Sequence, residues 1–478
     1  MADNRRRLFV ASCMALVANA MITSIITDIM GDLGARFELN KSWLGLAVSA
    51  GAIAGVCVQF FGSALLDFIG IGTALWVACA AHLCGVTAVI AAQGFWSIAL
   101  GSFFLAIAGS MVETAINPLA TAMYPEKRIH ILNLLHAWWP GGLIIGGLLA
   151  YGFGEALGAA HVSQETLAAS WRIKLAFVYV PILIYAILIF RQPFPKTERA
   201  QAGVPARVML REALRPLFLL LVFCMFLTAS TELAPNRWVH VFVEDIVGFP
   251  GILVLVYTSG LMFVLRHFAG PVAKVFSPLG LLVVSSVVSA LGLLAMSYSS
   301  GVAAMFSAAT IFGIGVTYYW PTMLGITAEW FPKGGAFLLG IIGAAAGLFL
   351  SYVTIPGMGA LHDHYTLDTL NTQSPEVAAL VVDKEGWVAE EVHFPYSLIA
   401  RDHLVLVKKE MRVDDDKVKA LPKEQQTVVE GAKRNAAQLT FRWVAVFPAA
   451  LIVIFGVMLL CERRKRPREQ AAAKAGGG

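Results

Sequence analysis

Charged residues are scarce in this 478-residue chain: Asp, Glu, Lys and Arg make up 14% of it, against 58% for hydrophobic types. Soluble globular domains carry about a quarter charged residues, so a single water-facing core is excluded. Cysteine is scarce too. All six, Cys13, Cys57, Cys79, Cys84, Cys224 and Cys461, lie inside apolar runs, where neither a disulfide framework nor a paired-ligand metal site is expected. No cofactor fingerprint and no nucleophile-base-acid set appears, so an enzyme is not expected. Gly141-Gly142, Gly146-Gly147 and Gly334-Gly335 lack the Lys-Ser/Thr of a phosphate loop and read as close helix packing or helix starts. The net charge of +5 falls in short clusters between apolar runs, which argues against a nucleic-acid partner.

What is present is a series of apolar runs of roughly 18 to 25 residues, each long enough to cross a hydrocarbon core about 30 Å thick as a helix. The pattern predicts twelve spans at 8–30, 43–66, 73–92, 95–123, 130–153, 172–190, 216–243, 251–270, 279–298, 302–324, 335–357 and 440–461. Arg5-Arg6-Arg7, an apolar stretch and Ala18-Asn19-Ala20 imitate a cleavable signal peptide. The run continues to Met30, however, and cleavage would leave an odd number of spans, so an uncleaved first helix is expected. Basic residues gather in alternate connections: Arg5 to Arg7, Lys127 and Arg128, a cluster from Arg191 to Arg215, Arg266, Lys274, Lys333, and a tail from Arg463 onward. The opposite short loops hold little beyond Arg36, Lys41, Arg172 and Lys174. This asymmetry predicts a multi-pass protein of the cell (inner) membrane with both termini cytoplasmic.

The expected architecture is therefore an all-α membrane protein of twelve transmembrane helices in two six-helix, pseudo-symmetric bundles. Residues 1–190 form the first bundle, 191–215 a cytoplasmic linker, 216–461 the second bundle, and 462–478 a basic tail. A polar insertion, 358–439, falls on the extracytoplasmic side and reads as a solvated cap or as a partner-binding module. The halves echo one another: Asp28 and Glu232 lie in spans one and seven, and Asn117-Pro118 and Trp320-Pro321 in spans four and ten. Duplicated six-helix units are a hallmark of transporters that hold solute between the halves near the midplane.

An ionisable group within the bilayer is costly unless it faces a wet cavity or a partner. Glu113 lies mid-span with Asn117 one turn later on the same helix face. Span five returns antiparallel and brings Asn133, His136 and Trp139, so that His136 comes level with Asn117 and Trp139 with Glu113. A carboxylate, amides, an imidazole and an indole at one depth suit a neutral solute with several hydroxyls; the same groups also suit a polar clamp between helices. Span seven repeats the pattern with Glu232, Asn236 and Trp238 around Pro235, with Glu232 either facing a cavity or paired with Arg237. Tyr319 and Trp320 in span ten lie too deep for an interfacial belt and are candidates for a cavity wall. Asp28 is either a second protonatable group or an interfacial cap. His82 and His267 show no partner in the sequence.

Asp67-Phe68-Ile69-Gly70, after span two, resembles the cytoplasmic loop motif of the major facilitator superfamily, and Gly270 to Lys274 occupies the equivalent place after span eight. Glu113-Thr114-Ala115-Ile116-Asn117-Pro118 with Leu132-Asn133-Leu134 resembles that superfamily's fucose/galactose/glucose:proton symporter branch. Similar too are Thr231-Glu232, Trp320-Pro321-Thr322, Gly340-Ile341-Ile342-Gly343, Pro356 and Gly359 to Asp363. The resemblance implies the major facilitator fold, a gating role for Asp67 and Gly70, sugar binding and proton coupling at Glu113, and substrate contact by Asn133. The chain departs from the branch at His136, where a glutamine is usual, at Asp28, displaced from the expected acid, and after Asp67, where basic residues are missing.

The function expected is proton-coupled uptake of a monosaccharide, a hexose or deoxyhexose, by alternating access, with Glu113 and Asp28 as proton-coupling groups. Export of a hydrophobic or amphipathic compound and a non-transporting sensor are the alternatives. No cofactor or metal is expected beyond the coupling ion, proton or sodium. The partners expected are a small solute and the lipid bilayer, with the chain a monomer.

Overall fold

The structure, a computed structural model, describes residues 2–37, 39, 44, 47, 48, 50–160, 162, 163, 170–197, 205–383, 412, 413 and 415–475. Eleven helices among them are long and apolar enough to cross a membrane: Asn4–Met30, Ala52–Ile69, Ile71–Ile90, Phe95–Met123, Pro125–Ala159, Trp171–Ile189, Pro216–Val239, Pro278–Ser297, Val302–Trp330, Gly335–Gln373 and Lys423–Arg464. A twelfth, Gly251–His267, follows Val241–Val247 across a 117° bend and is span eight in chain order. The expected twelve-helix fold thus forms, and an even number of crossings returns both termini to one face, the terminal face. Strand is confined to an antiparallel pairing of Val382–Asp383 with Arg412–Val413 among the described residues.

Proline decides where two of the spans break. A proline has no N–H, so the carbonyl four residues earlier loses its helical donor. Pro140 does this to His136, and span five is helical to His136 and resumes at Trp138. Pro321 does it to Thr317, and span ten ends one helix at Val316 and starts the next at Tyr319. Pro118 and Pro235, by contrast, lie within continuous helices.

Buried polar groups tie each bundle together, because an unbonded polar atom away from water is expensive. The Arg7 guanidinium donates from Nε to the Leu188 carbonyl (2.8 Å) and from Nη2 to that of Ile187 (2.9 Å), joining the first span to the sixth. His82 does have partners, contrary to the expectation: its Nε2 lies 2.7 Å from Asn19 Oδ1 and its Nδ1 2.9 Å from the Tyr185 hydroxyl. Asn19 Oδ1 can only accept, so Nε2 carries the proton and Nδ1 accepts from Tyr185. In the second bundle Ser289 and Tyr319 share a hydrogen bond of 2.9 Å, and Ser230 and Thr354 one of 2.7 Å.

The segment expected as a polar cap from 358 has helical walls. Span eleven runs on to Gln373, span twelve starts at Lys423, and a small separate core of Leu370, Val377, Ala378, Val381, Val429 and Ala432 holds these extensions together. Residues 384–411 of the cap and 198–204 of the linker lie outside the described residues.

Among the described residues the two bundles meet from the terminal face to about mid-span, where span five packs on span eight as far as Ile144 beside Gly260. Span two packs closely along Gly335–Phe349, and no comparable packing joins it to Leu350–Thr354 or Ile355–Gln373, the part of span eleven nearer the opposite face. Gly340 lies against Ser63, and a Cβ on Gly325 would come within 2.5 Å of Ile129 and 3.0 Å of its backbone. Beyond this level Gly147 of span five and Gly347 of span eleven have open space where a Cβ would stand. The halves are therefore sealed at the terminal face and parted toward the opposite one. A Gly340→Val substitution is expected to wedge this seal open. A cysteine introduced at Ala336, 3% exposed, should then be alkylated faster from the terminal face; unchanged labelling would show that the Gly340 contact does not hold the seal.

Candidate functional site

Spans four and five assemble the polar centre of the first bundle. Asn117, one helical turn from Glu113, donates from Nδ2 to Glu113 Oε2 at 2.9 Å and to the Glu113 carbonyl at 3.0 Å. His136 Nε2 donates to Asn117 Oδ1 at 2.8 Å. The amide orientation is self-consistent, since a flipped Asn117 would set oxygen against carboxylate. Asn117 and His136 are buried while Glu113 is half-open, so the carboxyl is the part of this chain that meets solvent.

The second bundle supplies Glu232 and a residue that the sequence had placed at the membrane surface. Arg266, at the end of span eight, is 2% exposed and directs all three guanidinium nitrogens at acceptors. Nη2 meets Glu232 Oε1 at 2.8 Å, Nε the Thr317 carbonyl at 2.6 Å and Nη1 the His136 carbonyl at 2.8 Å. Those two carbonyls are the ones that Pro321 and Pro140 leave without helical donors. Glu232 therefore pairs with Arg266 and not with its near neighbour Arg237. One polar chain now runs from Glu113 through Asn117, His136 and Arg266 to Glu232, crossing from the first bundle to the second.

Residues 8–274, more than half of the chain, match the family model described as Major Facilitator Superfamily. The chain belongs to the major facilitator superfamily. No curated protein sequence matches it. Solved structures of this superfamily share its fold. The fucose:proton symporter FucP of E. coli aligns with a TM-score of 0.59 and 16% identity over 93% of this chain and 98% of its own. The proton:xylose symporter XylE bound to 6-bromo-6-deoxy-D-glucose gives 0.61 and 14% over 75% and 89%. A bacterial homolog of the human lysosomal transporter Spinster, inward-facing and unoccupied, gives 0.66 and 13% over 95% and 96%.

The remaining candidates of this superfamily member divide between the chain, the seal and bundle packing. Asn133 is fully buried and donates to the Ile129 carbonyl at 2.9 Å and toward Thr322 Oγ1 at 3.5 Å, which sets it in the contact between spans five and ten. Trp139, Trp320 and Asn236 are half-open. Trp238 turns to span eleven instead, donating to the Ile355 carbonyl at 3.0 Å and stacking on Phe242. Tyr319 is fully buried against Ser289 of span nine, a packing contact rather than a cavity wall: the helix places it at the right depth but on the bundle side.

Asp28 stands apart from the polar chain, paired with Lys174 at 2.8 Å. One turn on, burial raises the Asp32 carboxyl above its ordinary value, while the Lys174 charge pulls it down. Gly70 adopts φ of +82° at the turn between spans two and three, a conformation that glycine takes without strain. Asp67 accepts a hydrogen bond from Thr197 of the linker, which ties the loop motif to the strap joining the bundles. A small cleft lined by Pro118, Thr121, Thr197, Phe331 and Pro332 lies on the terminal-face side of the seal, two turns along span four from Glu113.

Removing one member of a buried ion pair costs about 3–5 kcal/mol. Arg266→Met is expected to lower thermal stability in detergent by that order. Adding Glu232→Gln should restore only part of it, because the His136 and Thr317 carbonyls stay without donors. Full recovery in the double variant would mean that the two carbonyl bonds contribute nothing.

Proposed function

We infer that the protein is a secondary active transporter that takes up a monosaccharide together with a proton by alternating access, with Glu113 as the proton carrier. The observation that carries this reading is the polar chain itself. A half-open carboxyl at the solvent end of a network that joins both bundles can report its protonation and the presence of solute to the contact that must break for the protein to switch. Solute hydroxyls would meet Glu113 together with the half-open Trp139, Trp320 and Asn236, a carboxyl and an amide for the hydroxyls and indoles for the apolar side of a ring. The likeness to the fucose and xylose symporters supports the choice of solute, and so does the motif around Glu113.

Charge explains why a proton is a fitting partner. An ionised carboxylate is costly to enclose when the cavity closes, whereas a protonated one is not. The solute-loaded form then closes easily once Glu113 carries the proton and resists closure while Glu113 is ionised, which couples the two movements. Positive residues at the terminal face, Arg5 to Arg7 and the linker cluster among them, support a cytoplasmic position for that face in the cell membrane. The parted side then faces outward, ready for uptake.

The test is uptake of monosaccharides into proteoliposomes with and without an imposed pH gradient. Gradient-driven accumulation is expected in the native protein and should be lost in Glu113→Gln, with solute exchange across the membrane retained. Accumulation that persists in Glu113→Gln would remove this carboxyl from the coupling.

A further inference from the structure

The linker between the bundles carries an exposed face of mixed chemistry. It forms a short helix, Ala206–Ala213, after which Pro216 opens span seven. The residue before a proline avoids the helical region, and Arg215 is extended there, with φ of −67° and ψ of 133°, so the chain turns between the two helices. Met209 is buried on the inward side, and the helix packs along Gly335–Phe349, the part of span eleven that forms the seal with span two.

The outward side is divided lengthwise. Leu210 and Leu214 lie one turn apart, as do Arg207 and Arg211, and at about 100° per residue the two pairs run side by side along one face. All four are exposed, Leu214 to 75% and Leu210 to 53%. Arg215 is paired with Glu212 at 2.8 Å, whereas among the described residues no hydrogen bond, ion pair or ring contact engages Arg207 or Arg211. Two free guanidiniums thus lie beside two leucines that water would otherwise have to cover.

Where this face lies follows from the span it leads into. Leu214 stands just before Pro216, and Leu217 and Leu219, in the first turn of span seven, are exposed as well; they meet lipid, because the span is apolar and crosses the bilayer. The linker helix therefore sits at the depth where acyl chains give way to headgroups. A leucine flank beside an arginine flank is the profile of a helix lying in that interface, with its leucines in the acyl layer and its guanidiniums among phosphates. We propose that the linker helix is a binding site for an anionic phospholipid, whose phosphate is held by Arg207 and Arg211 while its acyl chain covers Leu210 and Leu214. A zwitterionic lipid supplies the apolar contact, but its own positive charge offsets the attraction, so the site favours a headgroup of net negative charge such as phosphatidylglycerol. Because the helix rests on span eleven, the lipid is carried by the second bundle at the level of the seal. The site is independent of which solute the cavity takes up.

Native mass spectrometry of the whole protein with phosphatidylglycerol or phosphatidylcholine reads the affinity, and amide hydrogen exchange in nanodiscs of phosphatidylcholine, with and without phosphatidylglycerol, reads the place. An arginine near an anionic surface is worth about fivefold in affinity at low salt. Arg207→Gln combined with Arg211→Gln should therefore weaken phosphatidylglycerol binding by about tenfold or more and leave phosphatidylcholine binding unchanged, which also shows that the variant folds. The same pair of changes at Arg5 and Arg6, exposed on the terminal face, should weaken it less. In the native protein phosphatidylglycerol should slow exchange at 206–214, and in the Arg207 and Arg211 double variant it should not. Native affinity in that double variant would overturn the site, and so would an equal loss in the Arg5 and Arg6 variant, the sign of diffuse attraction to a basic face. Exchange at 206–214 that ignores the lipid would overturn it too, leaving the leucines to a protein partner.

Discussion

The guanidinium of Arg266 is the interaction on which the rest of this structure hangs. Stripping an arginine of water in the middle of a bundle is tolerable only when its donors are spoken for, and here three of its nitrogens reach three different partners. One is a carboxylate, which balances the charge. The other two are backbone carbonyls that proline has deprived of helical donors. The breaks in spans five and ten and the burial of the arginine are thus a single arrangement. Without the prolines the guanidinium would keep only the Glu232 carboxylate, and without the guanidinium the carbonyls would lack donors. Because His136 belongs to the first bundle and Glu232 and Thr317 to the second, the same side chain also pins the halves together at the sealed end.

The side chain of His136 extends that arrangement toward solvent. Its Nε2 proton is fixed by Asn117 Oδ1, and the Asn117 amide is in turn fixed by the Glu113 carboxylate. Each bond sets the donor and acceptor sense of the next. Glutamine in place of His136 could keep a donor to Asn117. The imidazole adds a rigid ring, and the backbone carbonyl of the same residue is the latch point, so the orientation of the Asn117 amide and the contact between the halves belong to one residue.

Much of this was legible in the sequence, and what was not has definite physical reasons. Span number followed from apolar length, and the meeting of Glu113, Asn117 and His136 followed from one-turn spacing and an antiparallel return. Depth along a helix is readable in this way. Azimuth is not, which is why Trp238 and Tyr319, set at suitable depths, turn out to face span eleven and span nine. Arg266 was assigned to the surface because charge-placement rules see only that it lies near a span end; its side chain reaches back into the bundle. Two prolines that each orphan a carbonyl, in a chain that also carries an isolated Glu232, were the available signal for a buried cation. The helical extensions beyond spans eleven and twelve escaped notice because their residues are polar and carry no apolar period, their stability coming from the small core around Leu370 and Val429.

The division of the Arg266 bonds between halves bears on how such a protein can switch at all. Parting the sealed end requires loss of the bond from Nη1 to the His136 carbonyl, while the bonds to Glu232 and Thr317 stay within one bundle and move with it. A hydrogen bond involving a charged group is worth about 1.5–3 kcal/mol net, which biases a two-state equilibrium by roughly tenfold to a hundredfold. Inverting a 1:99 population to 99:1 takes about 5.5 kcal/mol of differential binding. The latch is therefore smaller than the differential binding that would invert such an equilibrium, yet large enough to favour the sealed arrangement. Had the whole ion pair bridged the halves, each cycle would have had to separate buried charges at about 3–5 kcal/mol on top of the packing at Gly340 and Gly325. Keeping the charges within one bundle and lending the other only a single donor leaves the seal specific but reversible.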